Sequence, residues 1–159
     1  MANLISRATG NWLTAGTWGL VDTTSLHIGR VTASVLPTSG GSSARSNGFT
    51  PGAITIDGIA IYIANRTGTT GTLTCELWNN TGSSVVAATT VTINVSDLPA
   101  IVTADNNGGW TVFAFSSVLL LAATEYMVQL TTSTASQVSV WAGSGGVTNW
   151  ARALRTTTT

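Results

Sequence analysis

The sequence predicts an all-β fold: a single antiparallel β-sandwich or jelly roll flanked by extended N- and C-terminal arms. Three observations point there. Residues 54–141 run as one short apolar–polar alternation after another, each bounded by turn residues, with no helical stretch. The spacing between alternations is about ten residues, giving about eight strands, the rhythm of a sandwich or jelly roll. Composition agrees. Thr, a strand former, supplies much of the polarity, and Ser, Asn and Gly fill the turns.

The elements follow in order. Residues 1–25 place Trp12 and Trp18 among small polar residues and are expected to be an arm with one short strand. From Leu26 the pattern alternates. Its phase slips at Gly29-Arg30, as a bulge or bend would require. Residues 37–48 (PTSGGSSARSNG) are low in complexity and are expected to be a flexible loop. The strand over 54–63 slips phase at Asp57-Gly58. Residues 72–78 alternate cleanly, with Leu73, Cys75 and Leu77 inward and Thr72, Thr74, Glu76 and Trp78 outward. The turn at 79–82 is expected to make a hairpin of 72–78 with 84–88. Val91, Ile93 and Val95 form the next inward set, closed by Asp97-Leu-Pro. An aromatic strand over 110–115 follows, then Tyr126, Val128 and Leu130 inward, then Val138 and Val140 inward. Residues 143–159 are a second arm. The expected organisation is therefore arm 1–25, sandwich domain 26–142 and arm 143–159.

With 159 residues, one domain with a substantial core is expected. Charged residues make up only 8% of the chain, against about a quarter in an average soluble domain. The formal net charge is zero, which gives no broad basic footprint for nucleic acid. A surface so poor in charge is weakly protected against association. The longest apolar run, residues 118–123, is too short to span a bilayer. No signal peptide is expected at the N-terminus, so the protein is expected to be made in the cytoplasm without a membrane anchor.

Chemistry-bearing residues are scattered. Cys75 is in phase with Leu73 and Leu77 and is expected to be a buried small hydrophobe. His27 is the single histidine, and no Gly-x-Ser-x-Gly elbow accompanies it. The carboxylates Asp22, Asp57, Glu76, Asp97, Asp105 and Glu125 are dispersed. Asp57, Asp97 and Asp105 lie beside turn residues that can engage their side chains locally. No catalytic set, cofactor or metal is expected. A plain turn outweighs a calcium loop at Asp105-Asn-Asn.

The tryptophans carry more information. Trp78 shares its face with Thr72, Thr74 and Glu76, and Trp141 shares its face with Gln137 and Ser139, so both are expected on an outward face. Such indoles serve as an interface anchor, as a platform for a sugar ring, or as a seat for the chain's own arms. With Trp12, Trp18 and Trp150 they form the candidate interface or ligand platform. Arg7, Arg152 and Arg155, in the arms, join it as side chains that pair with carboxylates at interfaces.

Residues 109–115 (GWTVFAF), followed by residues 121–128 (LAATEYMV), resemble a recurring pattern of jelly-roll domains in which a Gly-Trp strand precedes a Leu-x-x-x-x-Tyr strand. That pattern occurs in non-catalytic carbohydrate-binding-like domains and in structural proteins of tailed-phage particles. Residues 8–22 (ATGNWLTAGTWGLVD) resemble the start of phage structural proteins. Across residues 8–22 and 54–141 the resemblance implies a jelly-roll virion component, a capsid decoration (cement) protein or a fibre-like module. Its partners would be the major capsid protein or other virion proteins, and itself as a homo-oligomer, expected as a trimer. The alternative implied by the exposed indoles is a carbohydrate-binding module for host or surface glycans.

Overall fold

The computed structural model describes residues 17–20, 32–35, 43–46, 48–66, 68–79, 84–98, 109–134, 138–142 and 152–156. For residues 17–20, 32–35, 43–45, 64–65, 141–142 and 152–156 the backbone alone is described. The fold is all-β, and its strands pair antiparallel in two sheets. The strands are β1 (Thr17–Leu20), β2 (Thr32–Val35), β3 (Ser43–Arg45), β4 (Ile54–Arg66), β5 (Thr72–Asn79), β6 (Ser84–Val85), β7 (Val91–Asn94), β8 (Gly109–Leu120), β9 (Tyr126–Thr132), β10 (Val138–Ala142) and β11 (Arg152–Thr156). A short 3-10 turn, Val95–Asp97, follows β7.

The first sheet is organised by β4, which pairs with β8 along one edge. Its other edge is shared end to end by β11 and β10, which in turn carry β1 and β2. In the second sheet β5 pairs with β9 on one edge and with β7 and β6 on the other, and β3 lies outside β9. Alternation decides which faces meet. Ile56, Ile59, Ile61, Ile63, Phe113, Val138 and Val140 of the first sheet join Leu73, Cys75, Leu77, Val128 and Leu130 of the second in one buried cluster. Each such aliphatic side chain contributes about 1.5–3 kcal/mol on burial.

The phase slip at Asp57-Gly58 is a bulge. Ile56 pairs with Val118 and Gly58 with Ala114, so Phe115, Ser116 and Ser117 stand opposite Asp57 alone. The shift lets Ile56 and Ile59, three residues apart, both face the core. The expected hairpin forms, with Trp78 opposite Val85 and Asn79 opposite Ser84.

Two stretches differ from the sequence reading, while the short strand expected within residues 1–25 is Thr17–Leu20. Ser43–Arg45, inside the segment read as a flexible loop, pairs with Thr131, Leu130 and Gln129 as β3. Arg152–Thr156, inside the segment read as the C-terminal arm, pairs with Thr17–Leu20 and with β4. Both are short strands added to a neighbour through backbone hydrogen bonds. Such pairing needs no apolar alternation and so leaves no pattern to read.

Turn chemistry fixes the ends of the sandwich. Gly71 adopts φ +84° before β5, and a side chain there would also run into Ser133 and Thr134. Arg66 at the end of β4 donates from Nε to the Leu98 carbonyl at 2.7 Å and from a terminal nitrogen to the Gly68 carbonyl at 3.0 Å. It therefore ties the β4–β5 turn to the end of the 3-10 turn. The Leu121-x-x-x-x-Tyr126 spacing has a physical cause: the Tyr126 phenol oxygen accepts the Leu121 N–H at 2.9 Å, closing the β8–β9 turn. The Tyr126 ring is buried and lies 6.1 Å from that of Phe49. Replacing Tyr126 with Phe keeps the ring and orphans this N–H. Urea unfolding of Tyr126→Phe is expected to show a loss of about 1–2 kcal/mol with an unchanged m-value.

Candidate functional site

The outward residues of β5 and of its neighbours form the candidate site. Directly opposite residues of an antiparallel pair share a face, so register alone defines three rows on the outside of the second sheet. The first row is apolar: Trp78 stands between Met127 on β9 and Val85 on β6. The middle row places Glu76 beside Gln129, with Arg45 at the next register position on β3. The last row is hydroxylic: Thr74 stands between Thr131 on β9 and Thr92 on β7.

Glu76 ties these rows together. One carboxylate oxygen accepts the Trp78 indole N–H at 3.2 Å and the Gln129 side-chain amide at 3.4 Å. The other accepts the Thr90 hydroxyl at 3.2 Å. Trp78 and Glu76 are half-buried, and Gln129 is 9% exposed. An indole N–H satisfied at its rim leaves the ring as an apolar plate in a fixed orientation. In the hydroxyl row, Thr74 and Thr92 are bonded to each other at 2.8 Å.

The strand that returns from β6 is held down by Thr89, which is fully buried. Its hydroxyl donates to the Val86 carbonyl at 2.8 Å and accepts the Leu77 N–H at 3.1 Å. Val86 N–H donates to the Leu77 carbonyl at 2.8 Å. This clamp brings the next residue, Thr90, within reach of Glu76. On the β3 side, Ser46 is buried; its N–H donates to the Val128 carbonyl at 2.8 Å, and its hydroxyl accepts the Val128 N–H at 2.9 Å. The ladder beside Gln129 is thus continued by a side chain.

The sequence-derived site residues are distributed as follows. Trp78 stands on β5 in the second sheet, whereas Trp141 is a residue of β10 in the first sheet, opposite Ala33. The two tryptophans therefore belong to strands of different sheets. Parity along a strand says which residues share a face but not which sheet a strand joins. Trp18 and Arg155 are register partners between β1 and β11, and Arg152 pairs with Ile61 of β4. Arg7, Trp12 and Trp150 lie outside the described residues, as do Asp22, His27 and Asp105. Gln129, Thr90, Thr74, Thr92 and Thr131 were not singled out as site residues. The signal for them is a polar residue at an outward strand position, which any surface strand shares. The remaining tryptophan among those with described side chains, Trp110, is nearly buried and packs edge-on against Tyr62 at 5.4 Å.

The described carboxylates sit on different elements. Asp57 is on β4 at the bulge. Asp97 accepts Asn94 and Ser96 at 3.2 Å each, a local turn contact. The Glu125 side chain lies against Gly48. Among the described residues no group of three or more His, Cys, Asp or Glu side chains could hold a metal ion. Cys75 is fully buried beneath the site, and burial, followed by the neighbouring charge of Glu76, pushes its thiol well above the usual range. The thiol therefore stays protonated, and in the folded protein it is expected to resist a disulfide reagent at pH 8. Reaction should appear only on denaturant unfolding, followed by release of the coloured thiol product; rapid native labelling would contradict the burial.

No family model matches the chain, and no curated protein matches it. Five solved chains match. One is the C-terminal CBM6 domain of LamC, a marine laminarinase from Zobellia galactanivorans, with 16% identity over 87% of this chain and 100% of that one, at a TM-score of 0.40. A likeness that low carries no weight for the site, which rests on this chain's own residues.

Proposed function

We propose that this chain is a non-enzymatic binding module whose second sheet takes a carbohydrate on its outer face. The observation that carries this reading is the Glu76 carboxylate, which fastens Trp78, Thr90 and Gln129 into one pre-arranged group. A sugar ring presents C–H bonds on its faces and hydroxyls on its rim. An indole plate beside hydroxyl, amide and carboxylate groups complements both. Fixing those groups before the ligand arrives lowers the ordering cost of binding. In isothermal titration against soluble polysaccharides, Trp78→Ala is expected to weaken binding by roughly tenfold or more, about 1.4 kcal/mol, with the thermal transition retained. Binding by the unsubstituted chain should change little between low and high salt. Undiminished affinity in Trp78→Ala would sink this reading.

A second reading is a structural protein of a phage-like particle, made in the host cytoplasm and decorating or cementing a capsid as a trimer. It is favoured by Leu119 and Leu121, which are 58% and 57% exposed beside the turn pinned by Tyr126. On a chain with 8% charged residues, such side chains suit a subunit or capsid contact. Trp12, Trp18, Trp141, Trp150, Arg7, Arg152 and Arg155 would add contacts to neighbouring subunits. Light scattering of the full chain is expected to give the mass of a trimer, falling toward that of a monomer in a Leu119→Ser, Leu121→Ser variant. A monomer at all concentrations would remove this reading and leave the first intact.

A further inference from the structure

The three rows differ in chemistry along β5, whereas the first and the last are each uniform across it. Across the sheet, the first row is apolar from Met127 through Trp78 to Val85, and the last is hydroxylic from Thr131 through Thr74 to Thr92. Along β5 the sequence is indole, carboxylate with amide, then hydroxyls. A ligand crossing the strands along the first or the last row would meet a single kind of group. A ligand following β5 meets all three, at steps of about 7 Å for every second residue of a strand.

The middle row also limits charge. Its charged side chain among those described is Glu76, beside Gln129. Because Glu76 already accepts three donors, a ligand carboxylate placed over it would meet a fixed like charge.

We infer that the face reads an uncharged sugar chain lying along β5, with one ring stacked on Trp78 and the rings beyond it held by hydroxyl contacts to Thr74 and Thr131. This rests on the reading of the face as a glycan site and adds to it a direction, a minimum length and a charge class. Trp78 contributes at every ligand length. The threonine row contributes only to ligands long enough to reach it.

The test is a titration of the full chain with cello-, malto- and xylo-oligosaccharides from disaccharide to hexasaccharide, with oligogalacturonates as the acidic counterpart. For the neutral series that binds, affinity is expected to rise by roughly tenfold beyond the disaccharide and then level off. Thr74→Val combined with Thr131→Val preserves β-branched residues on the strands. That variant should abolish the gain with length and leave disaccharide affinity unchanged, while Trp78→Ala weakens all lengths alike. The thermal transition of each variant reports whether the fold is retained. Should the threonine variant unfold, Thr131→Ser and Thr74→Ser, which keep the hydroxyls, must restore the gain with length. Length-independent binding, equal loss of short and long ligands in the threonine variant, or oligogalacturonates binding as tightly as neutral chains would overturn the inference while leaving a glycan site standing. Failure of every sugar to bind the unsubstituted chain would remove both.

Discussion

The structure depends on one constraint: the apolar faces of β4, β5 and β9 must be buried against each other. Side chains alternate with a period of two along a strand, so placing Leu73, Cys75 and Leu77 in the core forces Thr74, Glu76 and Trp78 to the other side. A one-residue slip of β5 would bury Glu76 and expose three apolar side chains, so register is strongly specified. The chemistry of the outer face is therefore a by-product of core packing. The same backbone segment carries a thiol kept neutral by burial on one side and a carboxylate with three hydrogen-bond donors on the other.

The tie at Glu76 shows how a polar cluster holds its shape on a sheet. Its donors come from β5 itself, from β9 and from the segment between β6 and β7, so the carboxylate links three stretches that backbone hydrogen bonds already hold side by side. Thr89 supplies the support from below, replacing ladder bonds where the chain leaves β6. The cluster is consequently rigid without being part of the hydrophobic core.

At the rim, the β8–β9 turn combines a strained backbone with a compensating bond. Ala123 adopts φ 60°, a left-handed conformation that a side chain disfavours. The Tyr126 phenol bonded to Leu121 N–H closes the same turn. The exposed leucines at 119 and 121 are thereby presented from a fixed turn, which is the feature linking the assembly reading to the fold.

Much of this was legible in the sequence. Alternation over 72–78 identified the inward and outward residues of β5, the Asp57-Gly58 phase slip marked the bulge, and Asn79-Asn-Thr-Gly82 marked the hairpin. Each is a local consequence of strand geometry and turn preference, which act between near neighbours. The short strands at 43–45 and 152–156 were not legible, because they join by backbone pairing and carry no periodic pattern. Nor could the sequence by itself place Trp78 and Trp141 in different sheets or bring Gln129 and Thr90 to Glu76. Those placements follow from which strands pair across long separations, and pairing is decided by the mutual burial of whole faces. The sequence determined what each strand offers to either side; only the tertiary structure decided which offers meet.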